Sequence, residues 1–144
     1  MKQALALLLL AVFHTLPLAA QSTQPAGNDP QAVRATEVLT TKYSLSADQV
    51  RMMYQIQARK LRNATKLEAL KATDPARYLM KRENLQTGTL GSISSILQTK
   101  EQVQLYRKTQ ADLRTLRAAK RKEMLLQNAP KEAVEAAMLD LYAE

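Results

Sequence analysis

Arg107, Arg114, Arg117 and Arg121 are the residues whose type and spacing point most directly to chemistry. Their intervals place them together on one side of a helix. Tyr106, Leu113, Leu116 and Met124 run alongside as an apolar stripe. Cations beside adaptable apolar surface suit weak binding of unfolded or partly folded proteins. Long-range attraction captures an acidic client and the Met/Leu surface holds it. A solvated face, an anionic membrane surface or nucleic acid would account for the same charge. Nucleic acid fits worst, because the chain carries no recognisable nucleic-acid motif.

Covalent chemistry has little to work with. The chain has no cysteine, and its one histidine, His14, and one phenylalanine, Phe13, fall within the first 20 residues. A nucleophile would have to be serine activated by lysine or a carboxylate. Ser92, Ser94 and Ser95 stand in no recognisable nucleophile elbow. The reading is a non-enzyme without cofactor or metal. Met52, Met53, Met80, Met124 and Met138 could suit a soft ion, but their helical scatter fits core or adaptable contact surface better.

The elements that position these residues announce themselves as helix starts. In Leu45-Ser46-Ala47-Asp48-Gln49-Val50, Ser46 is the expected N-cap and Gln49 its partner three residues on. This capping box satisfies two otherwise orphaned amides. Leu45 and Val50 flank it as a hydrophobic staple. The pattern recurs with Thr99 as cap, Gln102 as partner and Val103 as the first core residue. Ser46, Gln49, Thr99 and Gln102 are thus read as structural caps first. Gln49 is expected to matter less than Ser46, since its loss removes only one of two reciprocal bonds.

The strings SLSADQVRMMYQI and ILQTKEQVQLYRK resemble the paired LTxxQ motifs of the Spy/CpxP group of small exported helical proteins. The likeness spans roughly Tyr43 to Leu116. It departs where Gln98 stands between Leu97 and Thr99, where Ser46 replaces threonine, and in a short inter-motif segment. The resemblance implies elongated helical hairpins pairing as cradle-shaped dimers in the bacterial periplasm, acting as ATP-independent chaperones or stress-response modulators. Some relatives hold metals through histidines, which this chain lacks after residue 14.

Residues 1–20 read as a secretory signal: Lys2, an apolar run from Ala4 to Val12, and Leu18-Ala19-Ala20 as cleavage site. The run is too short to span a bilayer. Only Lys2 of the 21 basic residues leaves with it, against 13 acidic ones that stay, so the mature chain is basic. Residues 21–28 are a polar lead-in expected to be disordered. Residues 29–144 form one helical domain.

Within that domain Asp29-Pro30 opens a short helix to about Tyr43, using Val33, Val38 and Leu39 inward. A second runs from Ala47 to about Ala72, with Val50, Met53, Tyr54, Leu61 and Ala64 on one face. Thr73-Asp74-Pro75 marks a tight corner. The third, to about Leu97, faces Leu79, Leu85, Leu90, Ile93 and Ile96 inward. The fourth spans Lys100 to about Gln127, and after Asn128-Ala129-Pro130 a last, locally acidic helix uses Val134, Met138, Leu141 and Tyr142. The fold expected is all-α, an elongated antiparallel hairpin of four to five helices. Because a hairpin buries less than a globule, a homodimer is expected.

The functional expectation is an exported, ATP-independent chaperone-like or envelope-stress protein. Two alternatives stand beside it: a periplasmic regulator docking on a membrane sensor, and a basic helical protein adhering to anionic envelope surfaces.

Overall fold

The computed structural model describes residues 29–141. The expected leader, the lead-in and Tyr142 lie outside them. The described chain is all-α: α1 (Pro30–Tyr43), α2 (Ala47–Thr73), α3 (Pro75–Ile96), α4 (Lys100–Leu126) and α5 (Lys131–Asp140). Adjacent helices pack antiparallel, and α2 with α3 shares the largest interface, followed by α1 with α2. With 27 residues, α2 is about 40 Å long at 1.5 Å per residue.

Each helix start is chemically specified. The Asp29 carboxylate accepts from the amides of Gln31 and Ala32, with Pro30 at the first helical position. Ser44 ends α1 in the left-handed region at φ 50°, and the Leu45 N–H reaches back to the Thr40 carbonyl at 3.1 Å. At the corner, Asp74 serves both sides. Its amide donates to the Leu70 carbonyl at 2.8 Å, while its carboxylate accepts from the Arg77 amide at 3.0 Å. Nearby, the Tyr78 hydroxyl donates to Glu68 at 3.2 Å and fastens the two helices where they turn.

The core sits at the opposite end of the α2–α3 pair. Leu39, Tyr43, Met53, Ile56, Ile93, Ile96 and Leu97 form one buried cluster, with Leu45, Met52, Val103 and Tyr106 packed against it. The first helix turns differently from its expected face. Ala32, Thr36, Leu39 and Tyr43 are buried, whereas Val38 is 66% exposed. The buried residues follow a strict three-to-four spacing from which Val38 is excluded. On α2 the buried set is Gln49, Met53, Ile56, Gln57 and Ala58, while Val50, Tyr54, Leu61 and Ala64 are half-buried. Tyr78 and Thr89 join Ile93 and Ile96 as the buried residues of α3.

The fourth helix differs from the rest. Gln102 is its only buried residue. Leu105, Leu116, Leu125 and Leu126 are exposed large hydrophobics along it. The short α5 packs against both α3 and α4. Among the described residues no helix is long and apolar enough to cross a membrane.

Candidate functional site

Both capping boxes form as their sequences specify. The Ser46 hydroxyl accepts from the Gln49 amide at 3.4 Å and the Gln49 side chain returns a bond to the Ser46 amide at 2.9 Å. Thr99 and Gln102 repeat this at 3.2 Å in each direction. Leu45 and Leu97, the apolar residues ahead of each cap, both reach the core cluster. The additional Gln98 is absorbed by Gln102, whose Oε1 also accepts the Gln98 amide at 3.0 Å.

The two boxes also meet. Gln49 Nε2 donates to Gln102 Oε1, and Gln102 Nε2 donates to Gln49 Oε1, each at 3.0 Å. Gln49 further donates to the Ile96 carbonyl at 2.7 Å, and Gln102 to the Ser44 carbonyl at 3.4 Å. Each glutamine thus caps its own helix and ties down the residue ending the helix or turn before the other. Gln49 is 3% exposed and Gln102 6%, so these bonds are sheltered from water and costly to lose. This corrects the count behind the expected ranking of the caps: the Gln49 side chain makes four hydrogen bonds rather than one, so its loss should outweigh that of Ser46.

The candidate binding residues of α4 do not form one continuous ridge. Tyr106 turns toward the core: its ring lies 6.3 Å from that of Tyr43, and its hydroxyl donates to the Leu90 carbonyl at 3.0 Å. Arg117 is committed to α5, donating through Nε and a terminal nitrogen to the Met138 carbonyl at 3.1 and 3.0 Å. Gln86 donates to the next carbonyl, Leu139, at 2.7 Å, and Arg82 pairs with Asp140 at 2.6 Å. Arg117 and Gln86 satisfy carbonyls that a helix end leaves unpaired, and Arg117 and Arg82 place cations at the negative end of its dipole. They clasp α5 between α3 and α4.

Arg114 and Arg121 line, with Arg117, a cleft of about 700 Å³ between α3, α4 and α5. Leu79, Met80 and Met138 supply its apolar wall. Glu83, Glu132 and Glu135 face the cations. Arg107 is exposed and lies outside the cleft. Leu113 is half-buried and Leu116 is 51% exposed. Of the seven candidate residues, exposure on α4 is therefore shared by Arg107, Arg114, Leu116 and Arg121. Leu105, Leu125 and Leu126 are exposed on α4 as well, and sequence spacing does not single them out. The signal that could have found them is α4 itself, which carries more apolar side chains than one stripe accounts for.

Among the described residues no group of three His, Cys, Asp or Glu could hold a metal ion. No family model matches the chain, and neither a curated protein nor a solved structure with detectable similarity was found.

Proposed function

We propose that this is an exported, ATP-independent chaperone-like or envelope-stress protein that holds unfolded or partly folded clients on α4. The observation that carries the reading is a helix of 27 residues with a single buried side chain. Leu105, Leu116, Leu125 and Leu126 are exposed on it, among Arg107, Lys108, Arg114, Arg121 and Lys122. Exposed apolar side chains interspersed with cations give a surface that attracts at long range and binds weakly at contact. The two motif strings that resemble those of the Spy/CpxP group and the leader-like first 20 residues support action in the periplasm, and the resemblance supports a homodimer. Suppression of aggregation tests the reading. The purified protein, without nucleotide, should keep several unrelated unfolding clients in solution, and less well at high salt. A single saturable partner with no effect on unrelated clients would instead identify a regulator docking on a sensor. Salt-sensitive adsorption to anionic vesicles without holding clients would identify an envelope-adhering protein.

A further inference from the structure

A second concave surface lies away from α4, in the groove between α2 and α3. It has a volume of about 570 Å³ and is lined by Arg59 and Lys66 of α2 and Lys81 of α3, with no carboxylate. The α3–α4–α5 cleft contrasts with it, since there four cations face three glutamates. The nearest acidic residues in sequence are engaged elsewhere: Glu68 accepts from Tyr78, and Glu83 lines the other cleft. Lys66 and Lys81 make no salt bridge among the described residues. Three like charges facing one concavity without compensation disfavour the empty groove and favour an anion within it.

The groove is also prepared for such a ligand. Arg59 donates to the Ser92 hydroxyl at 2.9 Å, and that hydroxyl donates in turn to the Gly88 carbonyl at 2.9 Å. One branch of the guanidinium is thereby held, leaving further N–H groups of its five for a ligand. Asn63 and Asn84 add neutral amide donors to the walls. Gly88 forms part of the lining, and a Cβ there would meet nothing within 4 Å. Packing therefore does not demand a glycine at this mid-helix position, although it costs about 1 kcal/mol relative to alanine.

We propose that the α2–α3 groove binds a compact ligand bearing a multiply charged phosphate group, either a free phosphate anion or the headgroup of a phosphorylated lipid. Guanidinium and ammonium groups with amide donors around one concavity are the chemistry such a group requires. The site is independent of client holding on α4. Its volume lies in the range of small-ligand pockets and exceeds the needs of a single inorganic phosphate, which makes pyrophosphate the better soluble probe.

The test is titration calorimetry of the purified protein with pyrophosphate, alongside flotation with phosphatidylcholine vesicles carrying phosphatidic acid. Three variants are compared: Lys66→Gln/Lys81→Gln, Gly88→Leu and, as a charge-matched control, Arg34→Gln/Lys100→Gln, at exposed positions that line neither cleft. Losing one charge-assisted hydrogen bond weakens binding roughly tenfold or more, so the lysine pair should lower affinity by at least that factor. Gly88→Leu should abolish binding by filling the groove while raising the melting temperature, which separates blockage from unfolding. The control should bind like the parent. Saturable pyrophosphate binding with this pattern supports a soluble phosphate ligand; vesicle binding alone with the same pattern supports a lipid headgroup. Absence of saturable binding to either probe overturns the proposal. So does equal weakening in the control, which would reduce the effect to overall charge.

Discussion

Replacing Gln102 with alanine should be among the most damaging single changes in this chain. The side chain accepts from Gln49, Gln98 and Thr99 and donates to Gln49 and Ser44. A net bond contributes about 1 kcal/mol, but three donors share one oxygen and the Ser44 contact is long, so the expected loss is about 2–4 kcal/mol. Gln49→Ala, which removes four bonds, falls in the same range. Ser46→Ala and Thr99→Ala each lose one cap bond and should cost about 1 kcal/mol. The two glutamine changes share their mutual pair of bonds, so the double variant loses that pair only once. Its destabilisation should fall short of the sum of the singles by about 1–2 kcal/mol. Urea denaturation followed by far-ultraviolet circular dichroism measures all five variants. Additivity to within roughly 0.5 kcal/mol would refute the amide pair, and a Gln49→Ala loss smaller than that of Ser46→Ala would refute the ranking.

Two further outcomes follow from other parts of the fold. Arg117→Met keeps much of the side chain's apolar bulk but strips the Met138 carbonyl of both donors. It should destabilise α5 docking by about 1.5–3 kcal/mol, seen as faster hydrogen exchange of α5 amides with α2 and α3 unchanged; unaltered α5 exchange would contradict the clasp. Gly91→Ala places a methyl group where nothing lies within 4 Å, so it should stabilise α3 by about 0.5–1 kcal/mol in thermal melts, and a lower melting temperature would show an unrecognised need for glycine there.

Much of the local architecture was legible because it rests on short-range chemistry. Asp29-Pro30, Ser46 with Gln49, Asp74-Pro75 and Thr99 with Gln102 mark the starts of the first four helices, and each cap forms. The meeting of the two boxes is not written in either motif and follows from length. Helices of 27 and 22 residues folded back on each other return the end of α3 to the start of α2, which brings Gln102 beside Gln49. Val38 is exposed rather than inward because a valine in a short helix satisfies more than one apolar arc, and the choice is made by Tyr43 and Leu39 packing into the cluster. The spacing of Arg107, Arg114, Arg117 and Arg121 defines one helix face, but sequence spacing does not reveal what lies opposite that face. The α5 terminus takes Arg117, and the core takes Tyr106, leaving a smaller exposed set.

The proposed client-holding role of α4 is tested most directly by stopped-flow binding to an unfolded client across a salt series. Three proteins are compared: the parent, Leu105→Gln/Leu116→Gln, and Arg107→Gln/Arg114→Gln/Arg121→Gln, with Arg117 left in place because it holds α5. Glutamine has a helix propensity close to that of leucine and arginine, so circular dichroism should show the fold retained. The arginine variant should capture clients more slowly and lose most of its salt dependence, since attraction between exposed charges is screened beyond about 10 Å at 0.1 M salt. The leucine variant should capture at the parent rate and release faster. Folded variants that both capture and release like the parent would contradict a client-binding role for this helix.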